Sequence, residues 1–353
     1  MSISPSGKIR VLIVDDSASL RMLISSMLSA DPAIEVVGTA ADGIEAIEKV
    51  LFLKPDVVTM DVEMPRMDGI TALRQIMAKA SATRVIMLSS LTQEGAKTTF
   101  EALDAGAFDY VPKTAANGFG ADITARVKEA VRSRFLRGAP PSVRPAPSRP
   151  IQPAAGTALK GKKISVVGIG ASTGGPVALQ EVLSRIPAAF PFGIFVAIHM
   201  PKAFTGAYAE RINSKCAISV REAADGELLR PGTVLIAPGG MHATLVRQAG
   251  GLAVKTWPTS DYPHHVYIPS VDVMMTSMAE LSGGSMLGVI LTGMGNDGFK
   301  GMQLLKQKGG ATMVQDEATS TIYGMPRACI EGGVADLVLP LGQIGVEIAR
   351  LGG

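Results

Sequence analysis

Three polar residues in the second half of the chain have the side chains that nucleophilic ester hydrolysis requires. Ser172, His199 and Asp297 each come shortly after a short apolar run. If these runs are parallel strands, their carboxyl ends lie along one edge of a sheet, where the three side chains can meet. A histidine, with an ordinary pKa of about 6.5, can take the serine proton at neutral pH, and an aspartate can fix its tautomer. The sequence therefore predicts a Ser–His–Asp triad.

The residues around the serine leave its role open when they are considered alone. Gly170-Ala-Ser-Thr-Gly174 fits the elbow pattern G-x-S-x-G, in which small residues allow a sharp turn after a strand. The stretch from Gly168 nearly matches a dinucleotide-binding fingerprint, with Thr173 in place of the last glycine. A strand–turn–helix without chemistry fits equally well. The histidine and the aspartate favour the hydrolase, with the backbone N–H groups of Thr173 and Met294 as predicted oxyanion donors.

The order of the three residues along the chain bears on the fold. Here the order is serine, histidine, aspartate, whereas α/β-hydrolases have serine, aspartate, histidine. The elbow pattern is therefore expected in a different fold from that of ordinary lipases and esterases.

Acidic residues in the first third of the chain form a second candidate site. Asp15, Asp16 and Asp61 follow apolar runs, and Lys113 follows a later one. For any single aspartate, a helix N-cap is the simpler interpretation. Three carboxylates at one sheet edge, however, repel one another unless a cation joins them, and hard oxygen ligands in an open site suit Mg²⁺. The lysine could neutralise a further charge and hold a phosphate oxygen.

Short apolar runs alternate with amphipathic stretches in both halves of the chain. The runs are 9–14, 34–38, 57–60, 84–88 and 108–111, then 164–169, 194–198, 233–237, 287–291 and 311–314. Runs that are apolar at every position are typical of strands buried on both faces of a parallel sheet. The pattern predicts an α/β protein with two doubly wound parallel-sheet domains.

A proline-rich segment separates the two halves. Residues 139–153 contain no acidic residue and almost no large apolar one, so they cannot build a core. Before them, apolar residues at every fourth position from Ile123 to Phe135 predict a helix capped by Asp122 and ended near Gly138. We therefore predict a first domain over residues 1–138, a linker over residues 139–160 and a second domain over residues 161–353.

Composition excludes several classes of protein. Of the 353 residues, 47% are hydrophobic and 18% are charged, which is typical of a globular protein. The net charge of +3 is too small to indicate nucleic-acid binding, and the two cysteines support no disulfide framework. The sequence shows no signal peptide and no apolar stretch of about 20 residues. We expect a cytoplasmic protein with no membrane insertion and no nucleic-acid partner.

Residues 8–138 resemble the response-regulator receiver family. The resemblance rests on the Asp15–Asp16 pair, the stretch Asp61-Val-Glu-Met-Pro-Arg-Met-Asp-Gly69, and positions Ser89 and Tyr110-Val-Pro-Lys113. It implies a flavodoxin-like fold and a phosphoryl group transferred from a histidine kinase to Asp61.

The same resemblance implies a metal site and a switch. Asp16, Asp61 and the backbone carbonyl of Glu63 would hold Mg²⁺, with Asp15 acting through water. Ser89, Tyr110 and Lys113 would couple phosphorylation to the signalling surface. The family often has threonine at the position of Ser89, and serine keeps the hydroxyl group.

Residues 164–350 resemble the catalytic domain of the chemotaxis protein-glutamate methylesterases. The matching segments are Gly168–Pro176, His199–Pro201, Ala237–Gly240, Leu291–Gly298 and Tyr323–Arg327. The resemblance implies a Rossmann-like fold and a hydrolysis that needs no cofactor. The substrates would be glutamate methyl esters and certain glutamines on methyl-accepting chemotaxis receptors. A chemotaxis histidine kinase would supply the phosphoryl group that regulates the reaction.

Other candidate functions have less support in the sequence. A DNA-binding output domain would need a helix-turn-helix pattern or a basic face, and the second half shows neither. A nucleotide-binding adaptor would leave His199 and Asp297 without a purpose. The tandem His264–His265 lacks the cysteine or carboxylate spacing of a zinc site, and His242 is expected to be structural.

Overall fold

Two parallel sheets, one in each half of the chain, organise the structure. The computed structural model describes residues 7–113, 118–137, 162–282 and 284–352. The chain divides between residues 140 and 141 into two compact units, each containing one of the sheets. This arrangement confirms the predicted fold class. The linker predicted over residues 139–160, with the domain ends at 138 and 161, lies outside the described residues, so those boundaries stay predictions.

The first unit has a five-stranded parallel sheet. Its strands are β1 (Ile9–Val14), β2 (Ile34–Ala40), β3 (Val57–Asp61), β4 (Arg84–Ser89) and β5 (Asp109–Pro112). Its helices are α1 (Ala18–Ser29), α2 (Gly43–Leu53), α3 (Gly69–Lys79), α4 (Gln93–Asp104) and α5 (Phe119–Arg137). The strand order is β2-β1-β3-β4-β5, so the winding reverses between β1 and β3. In such sheets ligands bind beyond the strand ends at this switch point, where Asp15, Asp16 and Asp61 lie.

The last helix of this unit begins earlier than the sequence predicts. Helix α5 starts at Phe119, and the predicted cap, Asp122, lies within its first turn. The Asp122 carboxylate accepts a hydrogen bond from Arg126 Nε at 2.9 Å, one turn later. An acidic residue in the first turn also interacts favourably with the helix dipole. The first half of the predicted apolar face is buried at Ile123 and Val127, whereas Val131 is partly exposed and the side chain of Phe135 lies outside the described residues.

The second unit has a seven-stranded parallel sheet and a separate antiparallel hairpin. Its strands are β6 (Val166–Ala171), β7 (Gly193–Ile198), β8 (Ser219–Glu222), β9 (Thr233–Ile236), β10 (His242–Gln248), β11 (Gly251–Trp257), β12 (Met286–Ile290), β13 (Ala311–Gln315) and β14 (Leu337–Leu339). Its helices are α6 (Gly175–Leu183), α7 (Lys202–Asn213), α8 (Val271–Ser282), α9 (Phe299–Gln307), α10 (Met325–Glu331) and α11 (Leu341–Ala349). The sheet order is β14-β13-β12-β6-β7-β9-β8, and β10 pairs with β11 alone. The switch point of this sheet therefore lies between β6 and β12.

Strands β8, β10 and β11 were not predicted because they are not continuous apolar runs, and β14 was not predicted because its apolar run has only three residues. Strand β8 lies at the sheet edge and buries only Val220. The hairpin β10–β11 has mixed polar and apolar residues and turns at Gly250 and Gly251, whose φ angles of 98° and 137° suit glycine. Half-exposed strands of this kind lack the signal that marks a doubly buried strand.

Helix α8 packs unusually close to the centre of the sheet. A Cβ atom at Gly168 would lie 2.4 Å from Met278 Sδ, and one at Gly170 would lie 2.3 Å from Val271 Cγ1. The two glycines of β6 therefore let the helix approach the strand. As a result, the first residues of α8 reach the edge of the sheet where β6 and β12 end. In the described part of the chain, no helix is long and apolar enough to cross a membrane.

Candidate active site

The structure brings the three predicted triad residues together at the carboxyl edge of the larger sheet. Ser172 directly follows β6, His199 directly follows β7, and Asp297 lies in the loop after β12. His199 Nδ1 is 3.0 Å from Ser172 Oγ, and His199 Nε2 is 2.8 Å from Asp297 Oδ2. A hydrogen-bonded chain from hydroxyl to carboxylate is the arrangement that a serine nucleophile needs.

The backbone around Ser172 is fixed by neighbouring strand ends. The Ser172 N–H donates to the carbonyl of Thr292 at 3.0 Å, and the His199 N–H donates to that of Ala171 at 3.2 Å. The turn closes when the Gly175 N–H donates to the Ser172 carbonyl at 2.7 Å. Gly174 has φ of 75°, a left-handed conformation that favours glycine. The serine therefore lies on a tight turn between β6 and α6.

Asp297 is the most heavily hydrogen-bonded side chain of the site. It is 5% exposed. Its Oδ2 accepts from the Val271 N–H at 2.7 Å, and its Oδ1 accepts from the N–H groups of Asp272 (2.9 Å) and Gly298 (3.1 Å). Two of these donors are the first residues of α8, where the helix dipole favours a negative charge. The buried carboxylate thus has the surroundings of a bound anion.

The electrostatics of Asp297 keep it ionised. Burial opposes the charged form, but the hydrogen bond and charge of His199 and the backbone donors of α8 outweigh it, so the pKa of Asp297 lies below its usual range. An ionised carboxylate can only accept hydrogen bonds. His199 Nε2 must therefore carry the proton, which leaves Nδ1 free to accept the proton of Ser172. The site selects the tautomer that a general base requires.

A glycine-rich loop after β12 lies against the serine. The Gly293 N–H donates to the Ile322 carbonyl at 3.0 Å, and the Gly293 carbonyl accepts from the N–H groups of Gly324 (3.0 Å) and Met325 (2.9 Å). A Cβ atom at Gly293 would lie 2.9 Å from the Cβ of Ser172. The segment after β13 thus holds the loop close to the nucleophile.

The predicted oxyanion donors lie on the two sides of this contact. Thr173 follows the serine and Met294 follows Gly293. Within the described ranges, neither backbone N–H donates a hydrogen bond to another protein group. The assignment of both N–H groups to oxyanion binding stays a prediction.

Sequence reasoning missed several residues that hold the triad. Tyr267 stacks on the His199 ring, with centroids 4.6 Å apart and planes 3° apart. The Ser270 hydroxyl donates to Asp297 Oδ1 at 3.0 Å, and the Thr292 hydroxyl contacts the carbonyl of Thr173 at 3.0 Å. Thr292 lies inside the Leu291–Gly298 motif, which could have marked it. The other two lie in an irregular segment before α8 that shows no periodicity.

The acidic residues of the first unit also meet at one edge of their sheet. Oxygen atoms of Asp15, Asp16 and Asp61 all lie within 4.8 Å of one another. Lys113 Nζ is 2.7 Å from Asp61 Oδ1 and 2.9 Å from Asp15 Oδ2. A cleft of about 550 Å³ opens over Asp16, Asp61 and Glu63. Such an open set of hard oxygen donors fits Mg²⁺.

Burial and charge act in opposite directions on this cluster. Burial raises the pKa of Asp61 even though Lys113 favours its charged form. Burial disfavours the Lys113 ammonium, but its hydrogen bonds to Asp61 and Asp15 raise its pKa overall. Lys113 therefore does not fully offset the burial of the Asp61 carboxylate, and a divalent cation would supply further positive charge.

Two of the three predicted switch residues, Ser89 and Tyr110, are buried inside the first unit. The buried Ser89 hydroxyl donates to the Gly95 carbonyl at 3.1 Å and accepts from Thr99 Oγ1 at 2.6 Å. Tyr110 is 5% exposed, and burial raises the pKa of its phenol. Lys113 contacts the carboxylates, whereas Ser89 and Tyr110 are both packed inside the unit.

Comparisons with known proteins cover nearly the whole chain. Residues 167–348 match the CheB methylesterase family, and residues 11–122 match the response regulator receiver domain. The chain is 62% identical to protein-glutamate methylesterase/protein-glutamine glutaminase 1 of Geobacter sulfurreducens, over 98% of each chain. It is 59% identical to protein-glutamate methylesterase/protein-glutamine glutaminase 5 of Geobacter metallireducens, again over 98% of each chain.

A solved structure resembles the second unit. The CheB methylesterase catalytic domain of Thermotoga maritima is 39% identical, with a TM-score of 0.51. The match covers 53% of this chain and 98% of that domain. The sheet that carries Ser172, His199 and Asp297 is therefore similar to that of a methylesterase catalytic domain.

Proposed function

This chain belongs to the CheB methylesterase family, and on that premise we propose that Ser172 is its nucleophile, His199 its general base and Asp297 the residue that orients the histidine. The chain is a protein-glutamate methylesterase and protein-glutamine glutaminase with a receiver domain that regulates it. The observation that carries the residue assignment is the unbroken chain of hydrogen bonds from Ser172 Oγ through His199 to Asp297.

The proposed reaction is an acyl transfer in two steps. Ser172 Oγ attacks the carbonyl carbon of the glutamyl ester while its proton passes to His199 Nδ1. The C–O bond to the methoxy group then breaks, and methanol leaves with the proton from His199. Water attacks the acyl-enzyme in the same way and releases a glutamate carboxylate. With glutamine, the C–N bond breaks and ammonia leaves.

Charge on the carbonyl oxygen is the main barrier that the protein must lower in this reaction. We assign the oxyanion donors to the backbone N–H groups of Thr173 and Met294. The close approach of Gly293 to Ser172 supports this assignment, because Thr173 directly follows the serine and Met294 directly follows the glycine. Removing one such donor typically costs about 3 kcal/mol of transition-state stabilisation.

One active site for both reactions makes ester and amide substrates compete. Receptor carrying labelled methyl-glutamyl groups should release labelled methanol, and added unlabelled receptor carrying only glutamine at those positions should slow that release. Receptor with plain glutamate there is the control for non-specific effects. Methanol release that is indifferent to the glutamine form, at concentrations where ammonia release is saturated, would contradict a shared site.

For the receiver domain, we propose that Asp61 accepts the phosphoryl group and that Mg²⁺ assists. Asp16, Asp61 and the Glu63 carbonyl would hold the ion, with Asp15 acting through water. When bound, Mg²⁺ neutralises charge on the carboxylates and the phosphoryl oxygens. The Lys113 ammonium group, already 2.7 Å from Asp61 Oδ1, would move to contact an oxygen of the new phosphoryl group. The Ser89 hydroxyl, now bonded to Gly95, would turn toward it.

Asp61→Asn should abolish stimulation by a phosphodonor without lowering the basal methylesterase rate. Allosteric coupling of ordinary size predicts that acetyl phosphate with Mg²⁺ raises the wild-type rate by roughly 5- to 150-fold. The rate of methanol release with and without acetyl phosphate measures the effect. Chelation of Mg²⁺ with EDTA should remove the stimulation of the wild-type chain.

Asp68→Asn is the matched control for this experiment. Asp68 caps α3 through the Thr71 N–H, and asparagine caps a helix about as well as aspartate. This variant should keep its response to acetyl phosphate. A full response in Asp61→Asn would show that another residue receives the phosphoryl group.

Two partners follow from the proposed chemistry. The phosphodonor is a chemotaxis histidine kinase, and the substrates are the methyl-accepting chemotaxis receptors. The receptor glutamates that the enzyme acts on lie on cytoplasmic helices, so we propose that the protein works in the cytoplasm.

A further inference from the structure

Ser270, the residue before α8, has every hydrogen-bonding position of its hydroxyl in use. Its Oγ lies 3.0 Å from Asp297 Oδ1, 3.1 Å from His265 Nδ1 and 3.3 Å from the Val273 nitrogen. Its backbone N–H donates to His242 Nδ1 at 3.2 Å. Ser270 is 1% exposed. A side chain held at so many points has little freedom to choose other partners.

The direction of each hydrogen bond follows from counting protons. A hydroxyl group has one proton and two lone pairs. The proton goes to Asp297, because an ionised carboxylate has none to give. The Val273 N–H takes one lone pair, so the contact with His265 requires a proton on His265 Nδ1. A directed chain therefore runs from His265 to Ser270 and on to Asp297.

We propose that His265 is a positioning residue for the hydrolysis, acting through Ser270 on the carboxylate that orients His199. The proposal rests on the assignment of Ser172, His199 and Asp297 as the triad. The complete chain would be His265, Ser270, Asp297, His199, Ser172. A second histidine would thus lie at the far end of the hydrogen-bond network from the nucleophile.

The link has two physical consequences. A donor on Ser270 Oγ strengthens the hydrogen bond that Ser270 gives to Asp297, since neighbouring hydrogen bonds polarise one another. That bond draws negative charge toward Oδ1, away from the Oδ2 atom that faces His199. It also fixes the carboxylate plane, and with it the imidazole. His265 therefore affects both the charge on the oxygen that faces the general base and the orientation of that base.

Other titratable and charged groups face His265 and can contribute to the pH dependence of the rate. His242 on β10 and Tyr262 on the preceding turn face it, with ring centroids 6.0 Å and 6.1 Å away. The charge of Asp272 on α8 also interacts with it. Burial, followed by the charge of His265, holds the pKa of His242 below its usual range. Burial therefore favours the neutral form of His242.

Two substitutions at one position separate positioning from a merely structural role. His265→Asn keeps an N–H donor close to the place of Nδ1 and cannot titrate, whereas His265→Ala removes the donor. In the full chain, His265→Ala should lower kcat for methanol release roughly 3- to 10-fold with little change in KM. It should also shift the acidic limb of the kcat/KM pH profile toward higher pH. His265→Asn should restore kcat to within about twofold of wild type.

Three outcomes would overturn the proposal. The first is an unchanged kcat in His265→Ala. The second is a reduced kcat with the acidic limb unmoved, which would indicate a structural effect alone. The third is failure of His265→Asn to restore the rate. His264→Ala, at the exposed neighbouring histidine, controls for changes to the loop and should leave the acidic limb where it is.

A double-mutant cycle tests whether the effect passes through Ser270. If it does, His265→Ala combined with Ser270→Ala should be no slower than Ser270→Ala alone. Additive losses would show that His265 acts by another path. The proposed function fails separately, since it predicts loss of activity in Ser172→Ala. If Ser172→Ala abolishes methanol release but His265→Ala leaves it unchanged, only the proposed role of His265 is overturned.

Discussion

Replacing Ser172 by alanine is expected to lower kcat for both methanol and ammonia release by about 10⁴-fold or more. The substitution removes the hydroxyl oxygen that lies 3.0 Å from His199 Nδ1. No acyl-enzyme can then form, and the remaining rate comes from oxyanion donors and substrate binding. KM should change little, because the hydroxyl contributes to the reaction rather than to binding. Methanol release from methyl-labelled receptor measures the loss.

Ser184→Ala is the matched control for this loss. Ser184 lies at the other end of α6, where its exposed hydroxyl donates to the Glu181 carbonyl at 2.8 Å. Ser184→Ala should keep the wild-type rate of methanol release. Thermal unfolding of both variants checks that they are folded. A Ser172→Ala chain that releases methanol within about tenfold of the wild-type rate would exclude the serine as nucleophile. A phosphate-binding role for the Gly168–Gly175 turn would then be the better interpretation.

The strands that could be predicted are those buried on both faces of the sheet, because each of them is a continuous apolar run in the sequence. Five apolar runs in the second half become strands β6, β7, β9, β12 and β13. Their ends carry Ser172, His199 and Asp297, so the residues of the proposed triad could be named from the sequence. Strands β8, β10 and β11 could not be predicted, because half-exposed strands lack a continuous apolar run. Strand β14 was missed because it has only three residues.

The support around the triad could not be predicted for a different reason. It depends on α8 approaching β6 across Gly168 and Gly170, which is a tertiary effect. That approach places the backbone N–H groups of Val271 and Asp272 on the Asp297 carboxylate. No local pattern in a sequence reports which helix start will face which loop. Ser270 and Tyr267, which lie just before this helix, were missed for the same reason.

Asp297→Asn is expected to lower kcat by about 10⁴-fold, the size of loss seen when a triad aspartate becomes asparagine in a serine protease. The physical reason lies in the donors around the carboxylate. Oδ1 accepts from Ser270 and from two backbone N–H groups, so the asparagine carbonyl oxygen takes that place. The amide NH₂ is then directed at His199 Nε2. As a donor it forces the histidine proton onto Nδ1, where it blocks the proton of Ser172.

Asparagine at this position also places two donors against each other. Its NH₂ group would face the Val271 N–H, which now donates to Oδ2 at 2.7 Å. Some loss of stability should therefore accompany the loss of rate, on the order of 1–3 kcal/mol for an unsatisfied buried donor. KM should stay close to the wild-type value, because the carboxylate acts on His199 and not on the substrate. Steady-state kinetics and thermal unfolding measure the two effects.

Asp316→Asn separates the orienting role of Asp297 from the general effect of removing a carboxylate at this sheet edge. Asp316 directly follows β13, next to β12 in the sheet, and its carboxylate caps the turn through the Thr319 N–H at 3.0 Å. Asparagine can accept the same hydrogen bond, so this variant should keep kcat within about twofold. If both variants lost activity equally, the negative charge of the sheet edge would be responsible. A large loss confined to Asp297→Asn would assign the effect to the tautomer of His199, since among these two carboxylates only that of Asp297 contacts the imidazole.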